Sequence, residues 1–238
     1  MKNKVVLITG GSHGYGLGIS IKLKEKGYIV WTIARNSKIL KEISKKYGIK
    51  TITADITNPQ DWDKVMETII KENKQLDLLI NNAGAGISIK EINQQTDIDI
   101  AQSIAVNLTG HIYGCKRASE IMKKQRSGTI INITSVCAKY AWPQYSVYSA
   151  AKAGIVQFGK CLYTELRPFN IKVTTIIPSW GSTNFAVAAG LTNDPEVEKQ
   201  MMQTREMGDL IENICSLPPH LVIPCLQIQP IIQEIIPM

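Results

Sequence analysis

The chain has 238 residues, 44% of them hydrophobic and 20% charged, with 27 Lys and Arg against 20 Asp and Glu for a net charge of +7. That length fits one large domain better than two small ones, and the composition is that of a folded chain, not a disordered one. Apolar runs such as Val5–Ile8 fall far short of the ~20 residues a membrane span needs, and Thr9-Gly10-Gly11 follows that run with no small-residue cleavage site, so no span and no signal peptide are expected.

In chain order, Val5–Thr9, Ile29–Ala34, Lys50–Ala54, Leu76–Ile80, Thr129–Thr134 and Lys172–Ile177 read as strands. Continuous runs such as Val5-Val6-Leu7-Ile8 and Leu78-Leu79-Ile80 imply burial on both faces, as in a parallel sheet. Between the strands, Ile19-x-x-x-Leu23 and Ile39–Ile43 carry helical spacing, and Asn58-Pro59 reads as an N-cap followed by a first-turn proline. Strand and helix alternating from the start predict a doubly wound α/β sheet. Ser179–Arg205 has no strand pattern and reads as a long excursion that serves as a substrate lid, about 179–206. The run Leu221–Ile228 reads as a last strand, with Pro224 putting it at an edge or bulge.

Five cysteines (Cys115, Cys137, Cys161, Cys215, Cys225) are odd in number and have no close pair, which fits neither a disulfide framework nor a zinc ribbon and suits a reducing, cytoplasmic setting. His13, His111 and His220 are too scattered for a metal site, so no metal is expected. Lysines spread along helical stretches such as Lys22–Lys26 and Lys41–Lys46 point to solvated helix faces or an anionic small ligand, not to nucleic acid.

The first strand runs into Gly10-Gly11-Ser12-His13-Gly14-Tyr15-Gly16 and then a helix. Glycines at 10, 14 and 16 permit a tight turn, close backbone approach to a pyrophosphate and close helix–strand packing. The helix N-terminus offers free N–H groups and a positive dipole end to the anion. An NAD site usually sets an acid about 20 residues beyond this loop, but no Asp or Glu occurs between Glu25 and Glu42. Arg35 stands there instead and can fork onto a 2′-phosphate, with Lys38 or His13 in support. The cofactor expected is NADP(H).

Further on lie Asn107, Ser135 and Tyr148-Ser149-Ala150-Ala151-Lys152. Tyr and Lys four apart share one helix face. A cation some 4–6 Å from a phenol of ordinary pKa about 10 favours the phenolate by roughly 3–4 kcal/mol at an effective dielectric near 20, which would bring the group toward working pH.

Together, Thr9-Gly10-x-x-x-Gly14-x-Gly16, Ala54-Asp55, Asn81-Asn82-Ala83-Gly84, Asn107, Ser135 and Tyr148-x-x-x-Lys152 make the sequence resemble the short-chain dehydrogenase/reductase family in its compact, NADP-preferring branch, from about Lys4 to Pro178. The resemblance implies a Rossmann-type, three-layer α/β/α fold in a single domain over 1–238. It makes Tyr148 the general acid–base and gives Lys152 the tasks of lowering its pKa and holding the nicotinamide ribose. Ser135 would hydrogen-bond the substrate oxygen, and Asn107 would anchor a water that relays protons to Lys152. Asp55 would meet the adenine, while Asn81, Asn82, Ala83 and Gly84 would line the adenine–ribose side and brace the sheet. Gly10, Ser12, His13, Gly14, Tyr15, Gly16, Arg35 and Pro178 would complete the cofactor site, with Thr183 on its carboxamide or phosphate side.

Three positions depart from the family pattern. Ser179 replaces the glycine usual after Pro178 and is expected to alter the turn locally. Tyr15 stands where a smaller aliphatic residue is usual, and Gly208 is the last glycine of the chain. Cys137, Trp142, Tyr145, Trp180 and Phe185 flank the catalytic positions as candidate pocket walls, favouring a lipophilic or aromatic ketone. Cys137 itself has nothing nearby in sequence to make it a nucleophile.

The expected activity is a carbonyl reductase interconverting ketone and secondary alcohol. Alternatives are reduction of a carrier-bound 3-oxoacyl group, an imine or an enone, or a non-catalytic NADP-sensing regulator. By resemblance, a homodimer or homotetramer forms through helices beginning near Asp97 and Tyr148.

Overall fold

Val5, Val6, Leu7 and Ile8 are all buried, as a strand covered on both faces must be. They form β1 (Val5–Thr9) of a computed structural model whose described residues are 3–183, 185 and 194–234. Among these, β2 (Ile29–Ala34), β3 (Lys50–Thr53), β4 (Leu78–Asn81), β5 (Gly128–Ile133), β6 (Ile171–Pro178) and β7 (Cys225–Ile228) complete one parallel sheet in the order β3-β2-β1-β4-β5-β6-β7. Strand order reverses at β1 and β4, so the loops after these strands diverge and leave a crevice at the C-terminal edge.

Alternation along β1 divides the core. Val5 and Leu7 pack with Trp31, Trp62, Val65 and Met122 on one face, and Val6 and Ile8 with Ile19, Leu23, Met207 and Ile211 on the other. The first face is covered by α3 (Pro59–Asn73), α5 (Gly110–Gln125) and α6 (Ser146–Leu166), the second by α1 (Gly14–Glu25), α2 (Ser37–Tyr47) and α8 (Thr204–Cys215). A short α4 (Asp97–Ile104) leads through a π-turn (Ala105–Thr109) into α5. Asn58 caps α3 by accepting from Gln60 N–H at 3.0 Å, with Pro59 at the first helical position. Gly18 and Gly208 let α1 and α8 cross closely, a β-carbon at Gly208 falling 3.0 Å from the Gly18 carbonyl oxygen, and Lys22 pairs with Asp209 beside that crossing.

The edge strand β7 is shorter than Leu221–Ile228. It begins only after Pro224, whose carbonyl accepts from Thr175 N–H at 3.0 Å. Proline thus ends the approach to the strand and does not bulge it. The excursion after β6 is not devoid of structure: Gly181 bridges Met202, and α7 (Pro195–Gln200) is capped by the Asp194 side chain. Positions 184 and 186–193 of the expected lid lie outside the described residues. No helix among the described residues is long and apolar enough to cross a membrane.

Candidate active site

A cavity of about 970 Å³ is lined by residues that follow the C-terminal ends of β1 to β6, where a doubly wound sheet leaves its crevice. At one end lie Arg35, Asp55 and Ala83, and at the other Ser135, Tyr148 and Phe185.

The glycine loop after β1 is built on backbone conformation. Gly10 turns the chain out of β1 at φ +68° while its N–H donates to Ile33 O at 2.9 Å, and Gly14 opens α1 at φ +52°. Gly16 faces inward against the Gly10 carbonyl and the Asn82 side chain, a packing role away from the cavity lining. Ser12, His13, Gly14 and Tyr15 do line the cavity, with His13 Nδ1 3.0 Å from Ser12 Oγ. His13 makes no side-chain cap and no acid stands in the first turn of α1, so the helix end carries an uncompensated positive dipole.

Thr9 ties this loop to the next one. Its hydroxyl oxygen accepts from Asn82 N–H and Ala83 N–H, each at 2.9 Å, and Asn82 Nδ2 returns a bond to Thr9 O at 2.9 Å. Ala83 is also held from behind. Its carbonyl can only accept, so His111 Nε2 carries the proton of their 2.6 Å bond. Burial then drives the His111 pKa down to about 3, with the Lys152 charge acting in the same direction and the Ala83 bond opposing.

Asn81 does not share the cavity with its neighbours. Fully buried at the end of β4, it donates to Asn132 Oδ1 at 2.9 Å and to Cys115 Sγ at 3.1 Å, bracing the sheet against α5. A cofactor contact for Asn81 is therefore corrected to a structural one, because successive residues of a strand point to opposite faces. Lys38 is also displaced from its expected role: it is exposed and off the cavity, on the first turn of α2 that Asn36 caps. Arg35 remains, exposed at the end of β2, on the cavity wall and without an ion-pair partner among the described residues. Asp55 Oδ1 accepts from Thr57 N–H and Oγ1–H, both at 2.8 Å, which fixes the carboxylate at the rim.

At the other end, α6 carries Tyr148 and Lys152 one turn apart, buried to 7% and 3% exposure. Lys152 Nζ lies 5.6 Å from the Tyr148 ring centroid, and the Lys152 carbonyl accepts from Thr134 Oγ1 at 2.8 Å. Ser135, extended at φ −160°, caps the following 3-10 turn by accepting from Cys137 N–H at 3.2 Å.

The expected drop in the Tyr148 pKa is not found. Burial raises it above its ordinary value, Cys137 adds to the rise, and only a hydrogen bond with Ser135 opposes. Spacing on a helix puts the cation close but does not reveal how dry the site is, and desolvation of the phenolate dominates. The same burial lowers Lys152 to about 8. Burial raises Cys137 too, which leaves its thiol inert, as the sequence implied.

Asn107 is centred in the π-turn, a distortion common at functional sites. Its amide pairs with Ala85 on both sides, Nδ2 to Ala85 O at 2.9 Å and Oδ1 from Ala85 N–H at 3.1 Å, and it is absent from the cavity lining. The side chain thus shapes the Gly84–Ala85 loop: both Nδ2 protons are used, on Ala85 O and on Ser103 O at 3.1 Å, while Oδ1 accepts from Ala85 N–H and keeps a second lone pair.

All five proposed wall residues line this end: Cys137, Trp142, Tyr145, Trp180 and Phe185. Tyr145 and Phe185 flank Tyr148 at ring-centroid distances of 6.2 and 5.3 Å. Pro178 closes β6, and Thr183 packs its Cβ 3.4 Å from where a Gly14 β-carbon would be. Ser179 takes no positive φ, so the turn after Pro178 runs without the left-handed residue that glycine would allow. Its N–H donates to Ile228 O at 2.9 Å and its hydroxyl bonds Gln233. Tyr15 fits by laying its ring against Gly181, its buried hydroxyl without a partner among the described residues.

Among the cavity residues that escaped the sequence reading, Asp194, Val197 and Met201 come from a stretch without periodicity, and Gln233 comes from the tail, where nothing sets it apart from Gln227 and Gln229.

Residues 4–194 match the family described as short chain dehydrogenase. The chain is 34% identical over 185 residues to 3-ketodihydrosphingosine reductase of Bacteroides thetaiotaomicron, a match covering 78% of this chain and 66% of that one. It is 32% identical over 189 residues to NADPH-dependent 1-acyldihydroxyacetone phosphate reductase of Saccharomyces cerevisiae, covering 77% and 63%. The chain therefore spans just under two thirds of either reductase. Among solved structures, the closed form of a serine dehydrogenase complexed with NADP+ superposes with a TM-score of 0.89 at 25% identity, covering 97% of this chain and 96% of that one.

Proposed function

The chain belongs to the short-chain dehydrogenase family, and from that premise we propose that it is an NADPH-dependent carbonyl reductase acting on lipophilic or aromatic ketones. The observation that carries the reading is Tyr148 and Lys152, 5.6 Å apart by ammonium and ring centre, in one cavity with an uncapped helix N-terminus.

The residues present fit NADP(H). The first turn of α1 and Gly10 would receive the pyrophosphate, and unpaired Arg35 the 2′-phosphate. Asp55, Ala83 and Gly84 would border the adenosine, and Tyr148, Lys152, Pro178 and Thr183 the nicotinamide end. The relatives' cofactors support the same choice. When bound, the cofactor supplies the hydride that adds to the carbonyl carbon.

The protein's own part is proton and charge management. Burial keeps Tyr148 protonated, the form that gives its proton to the oxygen as the carbonyl is reduced. Ser135, beside Tyr148 on the cavity wall, would turn its hydroxyl proton to the same oxygen and stabilise the charge that grows there. Lys152 supplies positive charge beside the phenol and, as ammonium, favours the phenolate left behind. Tyr145, Phe185, Trp142 and Trp180 exclude water and favour apolar substituents.

A free ketone suits the rim better than a carrier-bound one. Helix α7 presents Glu196 and Glu198 with Asp194 at its cap, and its Lys199 is paired with Glu196, so this rim would repel an acidic carrier. Assembly of like chains is part of the reading, supported by exposed Ile92 and Ile98 near an apolar groove between α4 and α6. Five free cysteines support a reducing compartment.

The test is NADPH consumption against a panel of aliphatic, cyclic and aryl ketones. Turnover favouring apolar ketones is expected; tight NADPH binding without turnover of any acceptor would instead favour a sensor.

A further inference from the structure

Gln233, in the tail beyond β7, returns to the cavity wall and is 5% exposed. Its Oε1 accepts from Trp180 N–H at 3.0 Å and shares a bond with the Ser179 hydroxyl, while Gln233 N–H donates to Pro230 O at 3.1 Å. A backbone N–H only donates, so the branch facing Trp180 is the carbonyl oxygen, and the NH2 group occupies the other branch. That Nε2 is buried and has no acceptor among the described residues. A buried donor left unpaired is costly, and a fixed one on a cavity wall is the kind of group a ligand satisfies.

The anchor lies close to the chemistry. Ile133 of β5 registers with Ile176 of β6, so the segments that carry Ser135 and Pro178 leave neighbouring strands, and both residues line the cavity. Ser179 and Trp180, which clamp Gln233, follow at once. The wall residues Cys137, Trp142, Tyr145, Trp180 and Phe185 at this end are mostly aromatic, so a neutral amide donor would supply direction that they lack. Ser179 gains a purpose here, since glycine would offer no hydroxyl to hold the amide.

We propose that Gln233 is a specificity-determining residue whose Nε2 donates to a second oxygen on the substrate. The preferred ketones would then carry an ether, hydroxyl or carbonyl oxygen close to the reacting carbonyl. This rests on the carbonyl-reductase reading above.

The test compares a plain aryl ketone with its α-methoxy analogue, whose added oxygen can only accept. Gln233→Glu keeps an oxygen for Trp180 N–H and removes the donor; Gln233→Met removes both and decides alone if the buried carboxylate prevents folding. The wild type should favour the methoxy ketone through KM, and the variants should raise that KM about tenfold, the loss expected for one buried hydrogen bond, with kcat/KM for the plain ketone within about twofold. Equal losses on both ketones, or an unchanged preference, would overturn the assignment. So would a rise confined to KM for NADPH, which would place the donor on the cofactor. Turnover of neither ketone by the wild type would overturn this inference and the carbonyl-reductase reading together, whereas turnover of both with no preference to lose overturns this inference alone.

Discussion

A β-carbon at Gly84 would stand 3.0 Å from Lys152 Nζ. It would also stand 3.1 Å from Asn107 Oδ1, so the absent side chain is what lets the ammonium lie against the loop that Asn107 shapes. Gly84→Ala must push one of these groups aside, and a displaced catalytic cation loses alignment. We expect kcat/KM for ketone reduction to fall about tenfold or more, with the melting temperature little changed. Kinetics and thermal denaturation of the same preparation check this; unchanged kinetics would remove Lys152 from the geometry that matters.

Lys152, with a pKa lowered to about 8 by burial, is an ammonium below that pH and neutral above it. Its charge beside Tyr148 is therefore lost as the pH rises through about 8. The ratio kcat/KM for NADPH reports groups of the free enzyme and should fall over that range. A profile flat to about pH 9.5, well above the lowered pKa, would contradict the assigned role.

His111 links stability to pH. Folded, it stays neutral down to about pH 3, while the unfolded chain takes up the proton from 6.5 downward. The unfolded state binds more protons between these values, so stability falls as the pH drops through 6.5 toward 3. His111→Gln retains a donor for Ala83 O without titrating. Its melting temperature should decline less steeply than that of the wild type between pH 6.5 and about 5; parallel curves would exclude His111 as a source.

Arg35 lacks an ion-pair partner among the described residues and no acid occurs between Glu25 and Glu42, so in the proposed site a 2′-phosphate would meet one free guanidinium. Arg35→Ala should weaken NADPH by about ten- to a hundredfold, the range for a lost charged hydrogen bond, and leave NADH little affected. Titration with both nucleotides measures this. Equal losses for the two would place the 2′-phosphate elsewhere.

What the sequence could and could not reveal follows from the range of the interactions. Val5-Val6-Leu7-Ile8 announced a doubly covered strand, and Asn58-Pro59 a helix start, because the cause in each case is local. Gly10, Gly14 and Gly16 read as a phosphate loop for the same reason. The adjacent Asn81 and Asn82 read alike, yet one braces Asn132 behind the sheet and the other binds Thr9 at the cavity. The four-residue spacing of Tyr148 and Lys152 fixed their proximity but not the dryness that raises the phenol's pKa. Gln233 meets Trp180 across 53 residues of chain, a contact no periodicity encodes.

In the proposed reaction Tyr148 is the group that protonates the carbonyl oxygen. Tyr148→Phe keeps the ring that packs against Phe185 and Tyr145 and removes only the hydroxyl. NADPH affinity and ketone turnover, measured on this variant and the wild type together, should show binding within about twofold and turnover lowered by at least about a hundredfold, the low end for a lost general acid. Near-normal turnover by Tyr148→Phe would contradict the account.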